Sequence, residues 1–508
     1  MIPFFTVLPV IYNPILKNAN LTEKRIALFR KTEYGIRSSL LKQKRIGRMQ
    51  KFSFTLLLLA MTFLLAGQNP KYIFLFIGDG MSTPQRMLAE EFSRKMNNGQ
   101  KLAINTMKYH ATTRTASASH VITDSAASAT AIACGIKTTN GFLGMDPKKQ
   151  PLESVADLAK KKGMKVGIIT TVTLNHATPG GFYAKRPSRK MYYEIGLDLV
   201  NSPFDYFGGG GLARNNDKKS PSYKGDLYQL AARKGFKVVR NNKDFHALRK
   251  GSGRVLAAGS SGSLPYAIDR DKNTAIPTLA QYTAKGIELL DNPKGFFMMV
   301  EGGLIDYCGH GNEGGANLRE VLAFDKAVRV ALDFAKKHPG ETLVIVTGDH
   351  ETGGMTLGRA SSSPNFDLLA RQKCSFSAFH SRIHHARKAA KKAGKQLSFK
   401  DVQKVMTENF SFKFSKDAGE GTLLLTAGEI KVLETAFAKK RLAYAARDLF
   451  NQKTGVGWTT TGHTSLPVLT TASGQKAELF QGFIENTDIA IKIKSLLLQK
   501  KAVTSPEK

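Results

Sequence analysis

The chain has 508 residues, 42% of them hydrophobic and 23% charged, which supplies enough apolar material for one large core and excludes a disordered or low-complexity protein. Its net charge of +35 favours anionic partners. Cys134, Cys308 and Cys374 are too few for a disulfide framework, so stability must come from packing and bound ions.

From the amino terminus, residues 1–48 hold ten Lys/Arg against two acidic residues. The stretch Met49 to Gly67 has a basic start, an apolar core short for a membrane span and small residues at its end, the layout of a signal peptide. It begins at an internal Met, so residues 1–48 read as an upstream extension outside the fold, 49–67 as a signal peptide, and 68–508 as a periplasmic or secreted domain. An uncleaved anchor is the competing reading. Next comes the apolar run Tyr72 to Gly78, ended by Asp79. The string Thr123-Asp124-Ser125-Ala-Ala-Ser-Ala-Thr-Ala131 then predicts a helix capped by Asp124, with Ser125 in its first turn. First-turn amides and the helix dipole favour an anion, so Ser125 is placed as a nucleophile would be; an ordinary capped helix is the plainer reading of the string alone.

Two more apolar runs follow: Phe296 to Val300, ended by Glu301 with Asp306 and His310 beyond, and Thr342 to Gly348, ended by Asp349-His350. Runs of this kind, separated by helical segments after Leu152, Asp226, Pro277 and Ala316, read as parallel strands buried on both faces. Ligands bind at the carboxyl edge of such sheets, so the three strand ends can converge. Their mixed carboxylate and imidazole set suits Zn²⁺. Cys308 beside them reads as a small buried thiol. Between about Arg359 and Gly457 lies a stretch whose Phe399–Phe410 and Ala427–Leu449 portions look helical, preceded by a basic helix ended by Gly394. His384 and His385 there read as surface residues, and nothing resembles a nucleic-acid module.

In order, Ile77-Gly-Asp79-Gly-Met81, Asp124-Ser125-Ala126, His176-Ala-Thr178-Pro179, Val300-Glu301-Gly302 with Asp306 and His310, Thr347-Gly-Asp349-His350-Glu351, and Gly462-His463-Thr464 resemble the motifs of the metal-dependent alkaline phosphatases. The resemblance runs from about Lys71 to about Lys494 and is weaker between Arg359 and Trp458. It implies an α/β fold with a large, mostly parallel central sheet, helices on both faces, and a cap-like variable insert over 359–457; cap and dimer contact are both open for that insert. It further implies a homodimer acting on small phosphorylated substrates and releasing inorganic phosphate, with weak contact to anionic surfaces and no specific nucleic-acid recognition.

Residue by residue, the resemblance places Asp306, His310 and His463 on a first Zn²⁺, and Asp79, Asp349, His350 and Ser125 on a second. Asp79, Glu301 and Thr178 would hold a Mg²⁺. Ser125 would attack phosphorus, giving a phosphoserine that water then hydrolyses. Arg189, eleven residues after Thr178, matches the substrate-binding Arg, with Asp124 orienting it and Arg186 as rival. His176 stands where family members carry Asp or His, so its contact with the third metal, direct or through water, is open. Tyr307 stands where others place Lys or His, and reads equally as packing or as a hydrogen-bond donor. A phosphodiesterase on the same scaffold and a non-catalytic phosphopolymer-binding protein are the alternatives.

Overall fold

A computed structural model describes residues 69–270, 275–359, 363–415 and 423–499, together with Lys31. The chain divides into two units, Met1–Gly67 and Gln68–Lys508. The apolar segment 49–67 lies outside the described residues, as does nearly all of 1–48. Among the described residues no helix is long and apolar enough to cross a membrane.

The described part of the second unit is organised by a ten-stranded sheet. Its strands are β1 (Tyr72–Gly78), β2 (Tyr109–Arg114), β3 (Lys165–Thr170), β4 (Tyr206–Gly209), β5 (Phe236–Val239), β6 (Arg254–Ala258), β7 (Phe296–Glu301), β8 (Thr342–Gly348), β9 (Val468–Gly474) and β10 (Gly482–Glu485). Their order is β10-β2-β9-β8-β1-β7-β3-β4-β6-β5, and β9 alone runs against the rest. Period-two alternation divides each central strand between two cores: Tyr72, Phe74 and Phe76 of β1 enter one, Ile73, Leu75 and Ile77 the other. The uninterrupted apolar runs follow from this, since neither face of the central strands meets water.

Helices cover both faces. On the first lie α1 (Thr83–Met96), α3 (Leu279–Leu290) and α5 (Gly314–Lys337); on the second lie α2 (Ser125–Cys134) and α10 (Asn486–Leu498). The short α4 (Leu304–His310) follows β7 directly. The insert contributes α6 (Phe376–Lys392), α7 (Phe399–Phe410), α8 (Ala427–Ala438) and α9 (Leu442–Thr454), whose apolar faces, including Phe379, Met406, Leu433 and Phe450, join the first core. The helix expected over Ala427–Leu449 is two helices, because Lys440 takes a left-handed φ of 58° and breaks it. Both ends of the insert leave through one antiparallel ribbon in which Met355 faces Trp458 and Leu357 faces Val456.

Candidate active site

Parallel register brings the motif residues together. Gly78 of β1 lies beside Gly348 of β8, and Ile77 lies beside Glu301 of β7, so Asp79, Asp349 and Glu301 emerge on one edge of three adjacent strands. Asp306 and His310, four residues apart, share a face of α4. His463 comes from across the insert, because a short antiparallel pairing sets it opposite Thr352. Gly80 fits the crowding: its φ is +71°, and a Cβ there would sit 2.9 Å from the Asp306 Cα.

Ser125 opens α2 as expected, with Asp124 as N-cap accepting from the Ala127 amide and Gly135 closing the helix in the left-handed region. All ten α2 residues are buried, and Ser128 donates to the Asp349 carbonyl at 2.7 Å, tying helix to strand end. The Ser125 Oγ lies 3.1 Å from His350 Nε2 and 3.5 Å from Asp79 Oδ1.

The hydrogen bonds around the imidazoles define their free nitrogens. His310 Nδ1 donates to the Thr461 carbonyl at 2.6 Å, and His463 Nδ1 to the Thr123 carbonyl at 2.9 Å. Thr352 spends its hydroxyl proton on Asp306, so it accepts from His350 Nδ1 at 3.2 Å. Each ring therefore turns Nε2 inward. The Nε2 atoms of His310 and His463 face each other at 3.2 Å, with Asp306 oxygens 3.3 and 3.6 Å away, and His350 Nε2 sits 3.3 Å from Asp79 and 3.4 Å from Asp349. The bridging Thr352 was not singled out from sequence; its only signal was its place next to the Asp349-His350-Glu351 motif.

Three groups result: Asp306 with His350 and His463, Asp79 with Asp349 and His350, and Asp79 with His176 and Glu301, the potential ligand atoms in each lying within 4.8 Å of one another. His310 joins the first group through Asp306, and Thr178 donates to Asp79 at 3.4 Å in the third. His310 is the exposed member, whereas Asp79, Glu301, Asp349 and His350 are fully buried, so the first group lies at the mouth.

Arg189 extends over this floor. Its guanidinium donates to Asp124 Oδ2 at 3.1 Å and to His176 Nε2 at 3.3 Å, while Asp124 Oδ1 holds the Ala127 and Gly141 amides. Arg186, the sequence rival, is engaged elsewhere, with both arms on Asp198 at 2.6 and 2.8 Å. Tyr307 sets its ring edge against His176 at 6.0 Å. Cys308 is a buried free thiol, and His384 and His385 are exposed on α6.

The electrostatics favour cations. Burial, and then the neighbouring carboxylates, hold Asp79 well above the usual carboxylate range, and burial likewise raises Glu301 and Asp349. Burial followed by Arg189 pushes His176 down to about 3. Glu301 Oε1 and Asp349 Oδ2 are buried without a hydrogen-bond partner. Carboxylates so crowded, interleaved with inward imidazole lone pairs, are relieved by protons or by bound cations, and the mixed nitrogen and oxygen donors fit metal ions. A serine-bearing helix start over that floor suits a metal-binding hydrolase.

Comparison with known proteins agrees. Residues 70–498 match the family model described as alkaline phosphatase. Alkaline phosphatase 3 of Bacillus subtilis is 34% identical over 384 residues, covering 73% of this chain and 76% of the relative. The cold-active alkaline phosphatase of a psychrophilic Shewanella shares the fold with a TM-score of 0.73 and 30% identity, over 84% of this chain and all of that one. The Thermus thermophilus enzyme superposes with a TM-score of 0.73 at 27% identity, covering 86% and 93%. The chain belongs to the alkaline phosphatase family and is a phosphomonoester hydrolase.

Proposed function

We propose that this chain is an exported alkaline phosphatase that works through a phosphoserine on Ser125, at a site for two Zn²⁺ and one Mg²⁺. The observation that carries the reading is the convergence of the Ser125 hydroxyl, His350 Nε2 and Asp79 beneath the Arg189 guanidinium. Asp306, His310 and His463 would hold one zinc, and Asp79, Asp349 and His350 with Ser125 the other. Glu301, Thr178 and Asp79, with His176 beside them, would hold the magnesium. Bound there, the cations would neutralise a phosphate dianion, make the serine alkoxide accessible and stabilise the departing oxygen.

The chain's own groups supply the rest. Arg189, held by Asp124 and His176, grips two non-bridging oxygens and aligns phosphorus over Ser125. Ser125 Oγ forms its bond to phosphorus as the ester bond breaks on the far side, and the alcohol leaves through the exposed His310 edge. Water entering by the same edge displaces the serine, releasing inorganic phosphate with net retention.

Arg189→Ala tests the monoesterase reading. A dianion offers oxygens to both guanidinium arms, whereas a diester carries one charge and a substituent in that space. Monoester kcat/KM should fall by about two to three orders of magnitude, and diester kcat/KM much less. Equal losses, or a wild type that prefers diesters, would favour a phosphodiesterase.

His176 bears on the third metal. Alkaline phosphatase variants of the Antarctic bacterium TAB5 with a histidine changed to Asp or Glu carry Mg in a site called M3. Here His176→Asp adds a hard oxygen ligand beside Asp79 and Glu301, and should tighten Mg²⁺ dependence by roughly 10-fold. An unchanged Mg²⁺ titration would place His176 outside that site. Export rests on residues 49–67: deleting them should leave the protein in the cytoplasmic fraction, and normal export of the deleted form would refute the signal.

A further inference from the structure

The insert reaches the turn that follows His310. Directly after His310, three consecutive residues are each held by it. The Gly311 carbonyl accepts from Arg447 at 2.8 Å and the Asn312 carbonyl from Asn451 at 2.7 Å, both donors on α9. Glu313, itself buried, accepts the first-turn amide of Phe376 at the start of α6 at 2.9 Å. Contact is close at the next turn as well, since a Cβ on Gly315 would lie 1.9 Å from Gln372 Oε1.

The same turn connects the exposed His310 to the segment that leads to His463. The side-chain amide of Asn312, whose φ is 49°, lies beside the Thr460 and Gly309 carbonyls at 3.0 and 2.9 Å, and donates to both once its nitrogen is assigned to that side. Its neighbour Thr461 accepts from His310 Nδ1. His310 is the most exposed member of the metal groups, with a side-chain exposure of 42%, and its own helix ends at that residue.

We propose that Arg447 and Asn451 are positioning residues for the first metal group: α9 clamps Gly311 and Asn312 and thereby sets His310 against His463 and Asp306. The proposal rests on the two-zinc reading of the site. By linkage, a metal ion that needs the clamp must in turn stabilise the docking of α9, so insert and first metal ion are coupled in both directions. The second group, walled by β1, β8 and α2, stands apart from this contact.

Zinc uptake by metal-free protein, measured in competition with a chromophoric chelator, tests this. The wild type should bind two zinc ions in separable steps. Arg447→Ala and Asn451→Ala should each weaken one step by roughly 10-fold, the scale for losing a partner that orients a metal ligand, and leave the other unchanged. Arg447→Lys should recover part of the loss. The unaffected step is an internal control for folding. In the wild type, filling the weaker step should slow amide hydrogen exchange over residues 442–454. Equal weakening of both steps, no weakening, or exchange indifferent to zinc overturns the clamp while the two-zinc reading stands. A wild type that takes up no zinc overturns both.

Discussion

Alanine at Ser125 is expected to lower monoester turnover by about three orders of magnitude or more, with the fold intact. The hydroxyl reaches only His350 and Asp79, and the helix cap is supplied by Asp124, so removing the hydroxyl leaves α2 in place. What disappears is the covalent route, leaving slower direct attack by water on a phosphate still held by Arg189. Acid quenching of the wild type during turnover should trap phosphate on Ser125, and peptide mapping should recover it there. Label on another residue, or near-normal turnover in Ser125→Ala, would remove Ser125 from the mechanism.

Chelation should abolish activity, with Zn²⁺ restoring it and Mg²⁺ adding to it, and it should also change how stability depends on pH. In the metal-free protein Asp79, Glu301 and Asp349 have their pKa values raised, chiefly by burial and then by neighbouring carboxylates, Asp306 among them. A carboxyl with a raised folded-state pKa binds more protons folded than unfolded, so stability is fully present below the unfolded value of about 4 and is lost as pH rises through the folded one. Metal-free Tm should therefore fall as pH rises through neutrality and above, while between about pH 4 and 6.5 the fall is opposed by His176 and His350, whose lowered folded-state pKa values make stability rise there. In the loaded protein cations replace those protons and the slope should flatten. Thermal scans of both forms across pH decide it; parallel curves, or full activity without metal, would refute the metal reading.

The three ligand-bearing strands were legible because each is buried on both faces, and a two-sided apolar run ended by Asp or Glu has few other readings. The strands Tyr109–Arg114 and Val468–Gly474 carried no such signal. They are rich in threonine, and their burial is met by hydroxyl pairs: Thr470 bonds Thr113 at 2.6 Å and Thr347 at 2.8 Å. Pairing partners far apart in sequence satisfy them, and no local period shows that. At the site, Arg189 could be chosen over Arg186 by spacing, but the physical reason, Asp198 occupying Arg186, is tertiary. Thr352 was illegible for the same cause, since a threonine between two ligand carriers looks like any other until the hairpin to His463 is closed.

That hairpin and the ribbon from Met355–Leu357 to Val456–Trp458 set what descent can change here. Loop-closure entropy grows only slowly, about 0.6 kcal/mol per doubling of length, so the connections between the packed helices beyond the ribbon can lengthen or shorten between lineages at little thermodynamic penalty, while the helix faces in the core and the Arg447 and Asn451 contacts cannot. Register is not free. A slip of one residue in the pairing of Thr352 with His463 would send the imidazole to the opposite face and leave a carboxylate and two histidines without their partner. Insertions and deletions should therefore accumulate in the helix connections between Leu357 and Val456, while single-residue changes in the few positions flanking the ribbon are purged.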